Sequence, residues 1–358
     1  MEYRKLPHGE EMISVIGMGS SVVGEQKEAD IIRTVEYALD AGVNYFDMAG
    51  GHATIFPAYG KVMAKRRKEA MMQVHFGADY TTGEYGWTIS LNKVKESIDW
   101  QLENLQTDYI DVGFIHCLDE ESDLHTYEKN GILNYIMDLR SQGVVKYIGL
   151  STNKVLDMNI LDMMMFSINP MYDFGQGDFA IGGTNERLDL YRRCEKEGVG
   201  ISVMKPFNAG QLLDAAKSPF HQALTPAQCI QYALDKPGVL TVLGGPGNVE
   251  QLKEILTYLD TTEEERDYSV IGSFTPDDSV GKCVYCRHCH PCPKGLDIAL
   301  INKYYDLSLQ GDILAKEHYL TLEKTASDCI ACGHCNKRCP FKVQQQKRME
   351  TIREYFGK

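Results

Sequence analysis

The stretch FDMAGGHATIFPAYG, residues 46–60, overlaps the strand-like run VNYFD (43–47), so a strand ends on Asp47 and opens into a turn that holds His52. Further strand-like runs read at 13–19 (ISVIGMG), 71–76 (MMQVHF), 109–115 (YIDVGFI), 145–150 (VKYIGL), 166–171 (FSINPM), 199–204 (VGISVM) and 239–243 (VLTVL). Each is followed by a stretch with helical apolar spacing, such as EADIIRTVEYALD at 28–40 and SLNKVKESIDWQLENL at 90–105. Eight strand-helix units in about 260 residues predict an α/β fold, a parallel (β/α)8 TIM barrel whose chemistry lies at the C-terminal ends of the strands. A doubly wound sheet is the alternative, but GMGSSVVG after the first strand lacks the G-x-G-x-x-G turn into a helix.

Composition narrows the class. The chain has 358 residues, 43% hydrophobic and 24% charged, enough for one large domain and a smaller one. A formal net charge of -13 argues against nucleic acid, whose phosphates are held by basic patches. The basic run KRRKE (65–69) is short and reads as a solvated helix end. No segment approaches the roughly 18 apolar residues that span a bilayer, and none opens the chain. The expectation is a soluble cytoplasmic protein without a membrane partner.

Eight of the eleven cysteines fall in two C-terminal runs. CVYCRHCHPCP carries Cys283, Cys286, Cys289 and Cys292, and CIACGHCNKRCP carries Cys329, Cys332, Cys335 and Cys339. The second run has the bacterial ferredoxin spacing C-x2-C-x2-C-x3-C-P, in which three thiolates hold one 4Fe-4S cube and the fourth reaches to the other. The expected sets are Cys283, Cys286, Cys289 and Cys339 for one cluster, and Cys329, Cys332, Cys335 and Cys292 for the second. Only two residues precede Cys292 in the first run, which makes its partner set the departure from the pattern. Disulfides and structural zinc are the competing readings. Neither accounts for two runs that each end in Cys-Pro. Between the runs, GLDIALINKYYDLSLQGDILAKEHYLTLEK has helical spacing that lets the halves fold back on each other. The expected organisation is a barrel over 1–260, a linker over 261–282, and a small α-helical ferredoxin-like iron-sulfur domain with two 4Fe-4S clusters over 283–358.

AGVNYFDMA and ENLQTDYIDVGFIH resemble the second- and fourth-strand signatures of aldo-keto reductases, and GVVKYIGLSTN, MKPFNAGQLL and TVLGGPGNVEQLKE follow in the family's order. With the cysteine runs, nearly the whole chain resembles the branch of that family with a C-terminal ferredoxin-type domain. The resemblance implies an oxidoreductase with an Asp, Tyr, Lys and His site, in which the tyrosine protonates a carbonyl oxygen as hydride arrives. Asp47 and His116 match two of the four. His52 stands in the tyrosine position and His75 in the lysine position. A histidine titrates near neutrality without a lysine, so His52 is the expected proton donor, with His75 or His116 beside it. Tyr59, seven residues on, is the alternative phenol. Three imidazoles and Asp47 could instead bind a divalent metal, which would make the barrel a hydrolase or lyase with structural clusters.

The implied cofactor is NAD(P)H or a flavin such as FMN, because a flavin couples hydride chemistry to one-electron clusters. Its phosphate is expected on Gly244, Gly245, Gly247, Asn248 and Lys205, in the loops after the last two strands. GGPGNVEQ offers no cation for a ribose 2′-phosphate, which weakens NADP without excluding it. Asn153 and Asn169 match positions that hold the nicotinamide carboxamide in the resemblance. The expected partners are a small-molecule substrate and a redox protein such as a ferredoxin or flavoprotein, under anaerobic conditions. The run LDMNILDMMMF (156–166) reads as the buried face of a helix, GQGDFAIGGTN (175–185) as a loop over the site, and Cys117 as a packing residue.

Overall fold

The computed structural model describes the chain except residues 117–120, 152–159, 174–183, 219, 275–280, 282, 284, 286–288, 310–312 and 340. Eight parallel strands close into a barrel in sequence order. They are β1 (Ile16–Gly19), β2 (Tyr45–Asp47), β3 (Met71–Phe76), β4 (Ile110–Ile115), β5 (Val145–Ser151), β6 (Met163–Ser167), β7 (Gly200–Met204) and β8 (Val239–Gly244). In β3, β4, β6 and β8 every residue is buried. Burial on both faces is what parallel strands under a helical layer require, and it explains why they read as unbroken apolar runs. Among the described residues, no helix is long and apolar enough to cross a membrane.

Two expectations are corrected. The first run divides: Met12–Ser14 pairs with Tyr3–Lys5 as a hairpin, and only Ile16–Gly19 enters the barrel. The break falls where the side chain of Asn44 takes the Ser14 amide at 2.8 Å. The methionine run is not a helix face, because Met163–Ser167 is β6, and the expected strand at 166–171 gives way to a short helix, Pro170–Asp173. A fully apolar stretch has no periodicity to distinguish strand from helix. Here pairing with Gly200–Met204 decides the outcome.

The barrel interior is packed by Tyr45, Met71, Val112, Phe114, Met163 and Met165, and Leu6 and Ile13 of the N-terminal hairpin join the same cluster. Because side chains alternate along a strand, the face that places Tyr45 inward also places Asp47, and the face of Met71 carries Gln73 and His75. The register is fixed by Tyr45 opposite Met71 and Asp47 opposite Gln73.

The chain divides into two compact units: 1–167, 199–206 and 240–260 form one, and 168–198, 207–239 and 261–358 the other. The barrel strands fall in the first, apart from Val239. In the second, helices Ile298–Leu309, Ile313–Thr321 and Gln345–Phe356 pack through Ile301, Tyr319, Met349, Ile352 and Phe356. The first two lie in the stretch expected to be helical between the cysteine runs.

Candidate active site

Asp47 ends β2, His75 lies one residue from the end of β3, and His116 follows β4, with its amide on the Phe76 carbonyl at 3.0 Å. These three converge, whereas His52, expected beside His75 or His116, pairs with Glu84 instead. His75 Nε2 is 2.7 Å from Asp47 Oδ1, and His75 Nδ1 is 3.0 Å from His116 Nδ1. His116 Nε2 is in turn 2.8 Å from the hydroxyl of Tyr85. Asp47, His75 and His116 are all buried, whereas Tyr85 is 42% exposed.

Beneath Asp47 lies a polar layer that sequence reasoning did not identify. Gln73 donates through Nε2 to Asp47 at 2.9 Å, and its Oε1 accepts from the hydroxyls of Tyr45 at 2.6 Å and Ser202 at 3.2 Å. A polar side chain at the middle of the otherwise apolar run MMQVHF is the signal that was available. Buried amides are retained where each polar atom finds a partner.

Tyr85 was also missed. It comes from a short hairpin, Ala78–Asp79 paired with Gly86–Trp87, that leaves β3 through Gly77. Gly77 adopts a φ of 105°, and a Cβ there would sit 2.5 Å from the Tyr127 hydroxyl. That hydroxyl donates to the His116 carbonyl at 2.9 Å, so the turn and the histidine are pinned together. The hairpin is further clipped to the turn after β2: the Tyr85 amide donates to Gly51 O at 3.0 Å, and the Ala53 amide to Gly83 O at 3.1 Å. The clip places Tyr85 beside the turn that carries His52.

His52 itself points to the rim. Its Nδ1 is 2.7 Å from Glu84 Oε2, and the side chains of both are substantially exposed. Tyr59 is fully buried on the helix Ile55–Arg66, its ring 6.0 Å edge-on from Phe46. Burial, with Asp47 nearby, raises its hydroxyl well above the usual phenol range. That hydroxyl has no partner among the described residues.

Electrostatics fix the charge of His116. Burial, and next the proximity of His75, push His116 down to about 3, so it is neutral around pH 7. Both nitrogens of His75, and both of His116, are engaged by protein groups.

At the far loops, Asn248 caps the helix Val249–Leu256 by accepting the Gln251 amide at 2.9 Å, and the Gly247 amide is taken by Gln251 Oε1 at 2.6 Å. Gly245 is exposed, and a Cβ there would meet only Val22 at 3.8 Å, which leaves its backbone open to a phosphate. Gly244 ends β8, and Lys205 follows β7, exposed and with a φ of 54°. Asn169 is buried, and its side-chain oxygen takes the Tyr172 amide at 3.1 Å, the turn chemistry expected of Asn-Pro. Asn153 and Cys117 lie outside the described residues, as does most of 175–185.

In the C-terminal unit, Cys289, Cys292, Cys329, Cys332 and Cys335 line one apolar cavity. Two cysteines of the first run, Cys289 and Cys292, thus share a cavity with three of the second. Cys283 receives the Gln345 side-chain amide at 3.6 Å and Cys339 the Val343 amide at 3.4 Å, so these two sulfurs meet one short segment. Burial pushes the Cys283 thiol up to about 11 and raises those of Cys335 and Cys339. Thiols gathered on one apolar cavity, with amide donors at Cys283 and Cys339 nearby in sequence, suit iron, whose charge would deprotonate them. Cys286 lies outside the described residues. Tyr285, two residues after Cys283, anchors this loop: it donates to Asp306 at 2.9 Å and accepts from Arg192 at 2.8 Å.

A closed parallel barrel with Asp47, His75 and His116 at one mouth, in a chain that also carries a cysteine-lined unit, is the architecture of an oxidoreductase family that the family match identifies. The chain belongs to the aldo/keto reductase family, whose model matches residues 15–228, and residues 279–344 match the 4Fe-4S dicluster domain. It is 26% identical over 293 residues to an L-galactose dehydrogenase of Arabidopsis thaliana, covering 71% of this chain and 86% of that protein. It is also 26% identical over 300 residues to the uncharacterized oxidoreductase YqkF of Bacillus subtilis, covering 74% and 94%. Among solved structures, the holo form of aldo-keto reductase AKR11C1 from Bacillus halodurans shares the fold, with a TM-score of 0.59, 21% identity, and coverage of 77% of this chain and 97% of that one.

Proposed function

We propose that this iron-sulfur aldo/keto reductase interconverts a small carbonyl compound and its alcohol at the barrel mouth. The observation that carries the proposal is the unbroken run of hydrogen bonds from Asp47 through His75 to His116. Those three residues stand where the family resemblance places its aspartate, lysine and histidine. His75 beside Asp47 keeps a cation opposite a carboxylate whenever it is protonated, as the lysine would. The similarity to an L-galactose dehydrogenase supports a small hydroxyl or carbonyl compound as the substrate class.

A bound nicotinamide or flavin supplies the hydride chemistry. The open backbone of Gly245, with Gly244 and Lys205, is where its phosphate would rest; Gly247 and Asn248 are already drawn into the helix cap and contribute only if that cap opens. The protein's own task is to orient the reacting oxygen and exchange one proton with it. His52, although in the family tyrosine position, is paired with Glu84 at the exposed rim and takes no part in that exchange in this reading. The cysteines would hold two clusters, Cys329, Cys332, Cys335 and Cys292 for one and Cys283, Cys286, Cys289 and Cys339 for the other, and such clusters would supply one-electron exchange with a partner such as a ferredoxin or flavoprotein. Cys289 also touches the first set's cavity, as expected for neighbouring clusters.

The test is anaerobic purification of the full chain, a visible spectrum for clusters and flavin, and turnover of small aldehydes with NADH and NADPH and of the matching alcohols with NAD+ and NADP+. Absence of any such turnover, with or without added flavin, would overturn the proposal.

A further inference from the structure

We propose that Tyr85 exchanges the proton with the substrate oxygen, and that His116, His75 and Asp47 are the wire that loads and drains it. This rests on the carbonyl-alcohol reading above and names the group that touches the substrate.

Hydrogen-bond polarity is determined from the buried end outward. Gln73 turns its oxygen toward the Tyr45 and Ser202 hydroxyls and therefore its amide toward Asp47. An ionised Asp47 can only accept, so His75 Nε2 carries a hydrogen and donates to it. The Nδ1-to-Nδ1 contact between His75 and His116 then holds one hydrogen, which belongs to one ring or the other. When both rings are neutral it sits on His116, whose Nε2 accepts from the Tyr85 hydroxyl. When His75 is protonated it sits on His75, His116 carries its hydrogen on Nε2 and donates to the Tyr85 oxygen, and the Tyr85 O–H is turned to the substrate. One added proton therefore reverses every bond from His75 outward. The Asp47 carboxylate accepts from His75 Nε2 in both states and so stands opposite the cation in the protonated one.

Exposure assigns the terminus. Of the four groups, Tyr85 alone is open to solvent, and the clip to Gly51 places it beside the residue that replaces the family's tyrosine.

In the reducing direction the carbonyl carbon takes a hydride, with its two electrons, from a reduced nicotinamide, which is left oxidised. The pair of the C–O π bond forms the new O–H bond with the Tyr85 proton. The Tyr85 oxygen regains a proton from His116 Nε2, and His116 Nδ1 gains one from His75 Nδ1. His75 ends neutral, still bonded to Asp47, and is reloaded from water. Alcohol oxidation runs the same transfers backwards and leaves His75 protonated.

The experiment uses the anaerobically purified full chain with its clusters, its Tyr85→Phe and His52→Ala variants, and a panel of small aldehydes and alcohols with the four nicotinamides. Tyr85→Phe should lose on the order of 100-fold in turnover in both directions, with cluster absorbance, NADPH binding and melting midpoint unchanged, while His52→Ala stays within a few-fold of wild type. Independently of turnover, nitrogen-15 spectra of histidine-labelled wild type with oxidised clusters, taken with both rings neutral, should show His116 protonated on Nδ1. Wild-type rates in Tyr85→Phe, a large loss confined to His52→Ala, or His116 protonated on Nε2 would each overturn the proposal while leaving the carbonyl-alcohol reading intact. A wild-type enzyme that turns over none of the panel would instead defeat that reading, and the proposal with it.

Discussion

His75 and His116 meet nitrogen to nitrogen, Nδ1 to Nδ1 at 3.0 Å, with their rings crossed at 87°. Two like atoms at that distance share a single hydrogen, so charging both rings would set two N–H groups against each other in a buried site. The geometry therefore leaves room for one hydrogen between the two rings.

This gives a stability prediction with a definite sign. His116 is pushed down to about 3 in the folded state, below the usual 6.5, so the unfolded chain binds more protons in between. Stability should be intact above about pH 6.5 and fall as the pH drops toward 3, by about 1 kcal/mol per pH unit from this group. Denaturant midpoints between pH 7 and 4.5 should fall more steeply for wild type than for His116→Phe. Parallel slopes would contradict the neutral, buried assignment.

Gln73→Ala should destabilise the barrel by about 3 kcal/mol, because it strips partners from Asp47, the Tyr45 hydroxyl and Ser202 at once and opens a cavity. Gln73→Glu keeps the volume but sets a second carboxylate against Asp47, and should raise the pH needed to ionise the pair. Urea unfolding and the pH profile of turnover check the two variants.

At Gly77 the turn into the hairpin needs a φ of 105°, and a Cβ would press on the Tyr127 hydroxyl. Gly77→Ala should cost about 1–3 kcal/mol of stability. It should also displace Tyr85 from His116, lowering turnover roughly tenfold or more with NADPH binding unchanged. Retained turnover in a destabilised Gly77→Ala protein would separate the hairpin's structural role from its chemical one.

Iron and sulfide analysis of anaerobically prepared protein should give about eight of each per chain. Cys332→Ala should remove one cluster preferentially, and air should bleach the chromophore. Two zinc ions per chain with negligible iron would overturn the cluster assignment.

The barrel was legible because a parallel sheet covered on both faces leaves eight apolar runs at helical intervals, a local signal. Asp47, His75 and His116 were legible because each ends or follows such a run. Met163–Ser167 escaped, since an all-apolar segment carries no period and only its pairing with Gly200–Met204 makes it a strand. The cysteines were legible because iron-sulfur ligation depends on close spacing within one segment, although the grouping of Cys292 with the second run's cavity depends on how the two runs fold back.

The amino-acid sequence by itself determined the strand order, the places of Asp47, His75 and His116 at or next to strand ends and the two ferredoxin-type runs, because each rests on neighbours a few positions apart. Only the tertiary structure decided which groups those residues meet. Gln73 finds Ser202 across the barrel, His52 turns outward to Glu84, and Tyr85 reaches His116, 31 residues away, because a glycine turn and two backbone hydrogen bonds aim its hairpin. Such contacts depend on barrel closure and on the direction of side chains from distant segments, and no local pattern of residues encodes either.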